Sequence, residues 1–124
     1  MNSFGITKKS YKLLLDLFIN HPQIEQVILY GSRAKGNFKK GSDIDLAIKG
    51  KDCNAEIATR VKSTINEVLP IPYKVDIVDY ESLMIVELKQ KIDEAGVVFY
   101  ERVTLISLDQ ASPADKNQDI EIVP

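Results

Sequence analysis

The chain has 124 residues and a formal net charge of -2, from 16 Lys and Arg against 18 Asp and Glu, and 44% of its residues are hydrophobic. That is apolar material for one domain with a modest core, and the charge excludes a global basic field of the kind that holds polymeric nucleic acid. Cys53 is the only cysteine, which excludes an internal disulfide and a cysteine-built zinc site and fits a reducing cytoplasm.

The start, Met1-Asn2-Ser3-Phe4-Gly5, has no basic region leading into an apolar one, and no later segment reaches the ~18 uninterrupted apolar residues of a membrane span. A cytoplasmic protein without membrane contact is expected. From Thr7 to Asn20, Tyr11, Leu14, Leu15 and Phe18 recur at helical spacing, with Thr7 as cap and Asn20-His21-Pro22 as stop. Ile24 to Tyr30 reads as a short strand running into the tight turn Gly31-Ser32. Arg33 to Gly41 is a polar, glycine-punctuated connection.

Ser42 to Lys49 alternates strictly, with Ile44, Leu46 and Ile48 on one face and Asp43, Asp45 and Ala47 on the other. Between Asn54 and Leu69, Ile57, Val61, Ile65 and Val68 mark a second amphipathic helix, which Pro70 and Pro72 end. Tyr73 to Val78 alternates again, with Val75 and Ile77 opposite Asp76. Ser82 is the expected cap of a third helix with Ile85, Leu88 and Ile92 as its stripe, ending near Gly96, and Val97 to Tyr100 is a fourth strand. Val103 to Leu108 offers a further strand, whereas Asp109 to Asp119 is polar and rich in turn formers and is expected to be mobile. The order implies an α/β (α+β) fold, a small mixed sheet with helices packed on one face, in a domain over residues 1–102 followed by an extension over 103–124.

Two carboxylates at Asp43 and Asp45 on one side of a strand repel unless a cation lies between them. Magnesium suits such a pair, because it prefers hard oxygen ligands and takes one or two carboxylates plus phosphates and water. If both acidic strands bury their apolar residues under the same helices, Asp76 joins Asp43 and Asp45 on one face. Three carboxylates suit two magnesium ions, one activating an attacking hydroxyl and one steadying a leaving pyrophosphate. Gly31 allows close backbone approach to phosphate, and amide groups with the Ser32 hydroxyl can hold its oxygens. Arg33, Lys35, Lys39 and Lys40 add positive charge nearby.

Taken singly these features are ordinary. A Gly-Ser after a strand is commonly just a turn, an Asp-x-Asp alternation the wet face of a strand, and Asp76 a surface acid with Asp79 as a weaker rival. Their conjunction in order, on neighbouring elements, is what carries the reading.

Gly31-Ser32-Arg33-Ala34-Lys35-Gly36, Ser42-Asp43-Ile44-Asp45-Leu46 and Lys74-Val75-Asp76-Ile77-Val78-Asp79 together resemble the minimal nucleotidyltransferases of the DNA polymerase beta superfamily. The resemblance covers roughly residues 5 to 102, and departs only in Lys35, where arginine is the commoner residue. It implies the nucleotidyltransferase fold, Asp43, Asp45 and Asp76 as catalytic and metal-binding residues with Asp76 as base, and Gly31, Ser32 and Arg33 as nucleotide-binding residues. It further implies ATP as donor and a helical HEPN-type toxin as partner, with AMP passed to a tyrosine so that the chain acts as antitoxin. An oligomer is compatible with this. The competing readings are the same chemistry on a small acceptor such as an aminoglycoside, whose acidic pocket a chain this short offers only as a dimer, and a partner-binding module without catalysis.

Overall fold

A computed structural model of the chain describes residues 2–103. The possible strand over 103–108 and the tail beyond it lie outside the described residues apart from Val103 itself. Helix α1, Lys8–Ile19, begins where the Thr7 hydroxyl accepts a hydrogen bond from the Ser10 amide, as the sequence predicts. Strand β1, Gln26–Tyr30, feeds directly into a one-turn helix α2, Ser32–Lys35. Strand β2 is Ile44–Lys49, helix α3 is Ala55–Val68 and strand β3 is Val75–Asp79. A 3-10 turn at Tyr80–Ser82, helix α4 at Val86–Ala95 and strand β4 at Val97–Glu101 complete the described chain. No helix among the described residues is long and apolar enough to cross a membrane.

The four strands form one mixed sheet in the order β3-β2-β1-β4. β1 pairs antiparallel with β2 and with β4, and β2 pairs parallel with β3. A parallel pair needs a crossover, and α3 supplies it. Its Asn54 cap accepts from the Ile57 amide, and Ala58, Val61 and Ile65 point inward while Val68, expected in the stripe, is 71% exposed.

α1 and α3 cover one face, where Leu14, Phe18, Val61 and Ile65 pack with Val27, Leu29, Leu46, Ile48, Val75 and Ile77. The expectation of helices on a single face needs correction for α4. Its Ile92 packs on Ile28, Tyr30 and Ala47, on the opposite side. The physical reason is a second, smaller apolar patch that β1 and β2 raise on that face, which has to be covered. Ser82 is not the cap of α4: its hydroxyl donates to the Asp79 carboxylate, the helix starts later at Val86, and Ile85 is left exposed. At the sheet edge Asn66 of α3 makes a reciprocal pair with Val75, its amide donating to the carbonyl at 2.8 Å and its oxygen accepting from the N–H at 3.0 Å. These bonds satisfy backbone groups that an edge strand otherwise leaves open.

Candidate active site

The face that α4 covers only in part carries the acids. In the parallel pair Asp45 lies directly beside Asp76, and across the antiparallel pair Tyr30 lies beside Asp45. Alternation along β2 follows Asp45 with Ala47, so on β2 the apolar patch under Ile92 begins just past the carboxylate, while on β1 Tyr30 brings it level with Asp45. Asp43 sits just ahead of β2 and is exposed. The strand is therefore shorter at this end than the alternation predicts.

The acids feel one another. Burial first, then Asp76, then Asp43, raises the Asp45 carboxyl above the ordinary carboxylate range. Burial, with Asp45 and Asp76, also pushes the Tyr30 phenol far above its usual value. Tyr30 thus stays protonated and forms a low-dielectric floor beside Asp45. Sequence reasoning passed over Tyr30, although its place one residue before Gly31 and its parity on β1 both mark it.

Asp76 also meets a cation. Lys62 of α3 brings its Nζ to 2.9 Å from Asp76 Oδ1, both side chains being about two-fifths exposed. Lys62 lies one turn before Asn66 on the same helix, so the clamp on Val75 sets the reach of its ammonium. No local pattern in the sequence announces this contact. Asp79, the rival to Asp76, is excluded by parity: it sits opposite Ile48 on the other face, is 4% exposed, and has one oxygen taken by Ser82.

Gly31 closes β1 with φ 78° and ψ -156°, a conformation essentially restricted to glycine. A Cβ there would lie 2.7 Å from Asp45 Oδ2. The glycine therefore brings bare backbone against the carboxylate, where a phosphate can approach both. Ser32 then opens α2, whose first amides have no partner within the helix. Arg33 departs from expectation. It is 2% exposed, and its guanidinium donates to the carbonyls of Phe4, Gly5 and Ser42. Phe38 and Tyr73 lie against it at 4.9 and 5.0 Å. Its donors are spent on backbone, tying the loop ahead of Asp43 to the start of α1.

No group of three acidic, histidine or cysteine side chains among the described residues is gathered closely enough to cage an ion beforehand. The donor set nonetheless fits magnesium: oxygen ligands only, from neighbouring strands, beside a glycine turn.

The sequence matches the family described as "Polymerase beta, Nucleotidyltransferase" over residues 12–104. The chain belongs to that family. The nucleotidyltransferase is similar in fold to a chain of a toxin-antitoxin crystal structure with AMP-PNP, with TM-score 0.60 and 21% identity over 94% of this chain and 86% of that one. It is likewise similar to a chain of a tri-AMPylated Shewanella oneidensis HEPN toxin in complex with MNT antitoxin, with TM-score 0.51 and 20% identity over 93% and 84%. A MntA-HepT toxin-antitoxin structure gives TM-score 0.52 and 19% identity over 94% and 86%. No curated protein matches the sequence significantly.

In this nucleotidyltransferase Gly31→Ala is expected to cost about 1–3 kcal/mol of stability through its backbone conformation. By displacing Asp45 it should also slow nucleotidyl transfer by about a hundredfold. Urea denaturation and a transfer assay check the two effects separately, and near-normal transfer would show that the close approach to Asp45 is incidental.

Proposed function

We propose that this nucleotidyltransferase uses magnesium and ATP to adenylylate a tyrosine hydroxyl on a helical HEPN-type toxin, acting as its antitoxin. The observation that carries the reading is the register pairing of Asp45 with Asp76 beside the Gly31 turn, on a face that α4 leaves partly open at the β3 edge. Similarity to chains from complexes described as toxin-antitoxin, one with AMP-PNP and one tri-AMPylated, supports the choice of donor and partner.

Asp43, Asp45 and Asp76 are the residues that would hold magnesium, which would polarise the acceptor hydroxyl and bear triphosphate charge. Gly31, through its backbone, and Ser32, through its amide and hydroxyl, take phosphate oxygens. The acceptor oxygen attacks the α-phosphorus in line; its bond to phosphorus forms as the bond to the bridging oxygen breaks and pyrophosphate leaves. Asp76 receives the hydroxyl proton and passes it to water. A tyrosine, with a phenol pKa near 10, needs such activation. AMP on it adds bulk and negative charge to the partner.

The aminoglycoside alternative calls for an acidic pocket around a polycation, whereas the Asp76 side carries Lys62 and Lys74. The test is to incubate the protein with ATP, magnesium and a HEPN-type partner and weigh the partner by intact mass spectrometry. An AMP adduct that fails to form with Asp45→Asn is expected. Neutralisation of the partner by that variant, with no adduct under any condition, would instead make the chain a binding module.

A further inference from the structure

β3 is an edge strand, so the acid it carries is held by a backbone ladder on one flank only, that of β2. On the other flank α3 takes the place of a neighbouring strand. Asn66 Nδ2 donates to the carbonyls of Lys62 and Val75 at 2.9 and 2.8 Å, and its Oδ1 accepts from the Val75 N–H at 3.0 Å. One amide side chain thus joins the turn of α3 that bears Lys62 to the residue next to Asp76. From that anchored turn Lys62 Nζ reaches Asp76 Oδ1 at 2.9 Å, and Oδ2 has no partner among the described residues. An ion pair with both side chains about two-fifths exposed adds little to stability, and the Asn66 bonds already close this part of the edge. Folding alone does not account for the contact.

We propose that Lys62 is a positioning residue for the transfer reaction, holding one oxygen of Asp76 so that the other, Oδ2, is presented to the metal ion and the acceptor hydroxyl. The inference rests on the reading above in giving Asp76 that task. A carboxylate with freedom to turn changes rotamer within nanoseconds. Accepting a proton or binding an ion needs one orientation, and a misplacement of ~1 Å costs about a hundredfold in rate. Carboxylates that ligate metals are commonly oriented by a hydrogen-bonded neighbour in this way. Lys62 also offsets one of the negative charges that Asp43, Asp45 and Asp76 bring together, without occupying the oxygen that reacts.

The test compares Lys62→Met, which loses the ammonium and keeps an apolar stem, with Lys62→Arg, which keeps a cation. In the isotope-labelled full chain, without nucleotide or metal, the three-bond N–Cγ and C′–Cγ couplings of Asp76 should report a single χ1 rotamer for wild type and Lys62→Arg. Lys62→Met should give an average over rotamers, while its melting temperature stays within a few degrees of wild type. AMP transfer to a HEPN-type partner should lose about 10–100-fold in kcat in Lys62→Met, with KM for ATP changed less than about twofold, and Lys62→Arg should recover most of the loss. In an Asp76→Asn background, followed over long incubations by mass spectrometry, Lys62→Met should slow transfer less than about twofold further, because Lys62 acts through Asp76. Rotamer averaging already in wild type, an unchanged kcat in Lys62→Met, or fully additive losses in the double variant would overturn the proposal. Failure of the transferase reading has a different signature: Asp76 keeps one rotamer that depends on Lys62, yet no AMP reaches the partner under any condition. That result leaves Lys62 as the group that orients Asp76 and removes the reaction assigned to it.

Discussion

Asp45→Asn is expected to reduce nucleotidyl transfer by about a thousandfold, on the several kcal/mol that a bound metal supplies to the transition state, while raising the melting temperature of the metal-free protein at neutral pH. The first effect follows from its place: Asp45 lies beside Asp76 in the parallel ladder and against Gly31, between the other acid and the glycine turn. Asparagine has the same shape but is a poorer magnesium ligand. The second effect follows from the direction of the Asp45 shift. Its folded-state pKa is raised by burial, Asp76 and Asp43, so the folded protein takes up the proton more readily than the unfolded chain. Ionising Asp45 therefore opposes folding, and stability is lost as pH rises from the ordinary carboxylate value of about 3.9 through the raised folded value. Asparagine removes that penalty. The variant should melt above wild type at pH 7, and the gap should close at acidic pH, where both side chains are neutral. Differential scanning calorimetry in a chelator across pH checks this. Magnesium with AMP-PNP should stabilise wild type by RT ln(1 + [L]/Kd), about 2.7 kcal/mol at a hundredfold excess over Kd, and the variant far less. A variant that melts clearly lower at pH 7 would show Asp45 to be structural.

Arg33→Ala is expected to produce the largest loss of stability. The change strips donors from the carbonyls of Phe4, Gly5 and Ser42 and empties the space between Phe38 and Tyr73. Unsatisfied buried acceptors cost about 1–3 kcal/mol each, and some regain water, so a loss of about 3–5 kcal/mol is reasonable with the aromatic contacts included. For a domain of this size that is a fall in Tm of roughly 15 °C or more. Arg33→Lys should recover only part of it, since one ammonium lacks the planar fork that serves three carbonyls. Calorimetry at several nucleotide concentrations separates this from a ligand role. An unchanged Tm without nucleotide, combined with a lost nucleotide-dependent shift, would return Arg33 to the phosphate.

The same residue shows where legibility in the sequence ends. Strand alternation and helical spacing are local properties of the chain, and they sufficed to find the order of the main elements, both strands bearing acids, and the common face of Asp45 and Asp76. Gly31 was legible as well, because a glycine at a strand end signals a backbone conformation that other residues resist. Local pattern cannot say which distant group a long polar side chain meets. Arg33 reads as charge near phosphate but folds under the loop ahead of Asp43, and Arg102, just past β4, donates to the carbonyls of Phe18, Ile19 and His21 where α1 ends. Lys62 looks like the solvated face of a helix until α3 is laid against β3, which brings it to Asp76. The second apolar patch, and with it the placement of α4, likewise exists only once β1 and β2 lie side by side and bring Ile28, Tyr30 and Ala47 together. Hydrophobic periodicity is written into neighbouring residues, so the chain itself determines the elements and their buried faces. Ion pairs, buried guanidinium contacts and composite patches join residues far apart in sequence, so only the tertiary structure decides them.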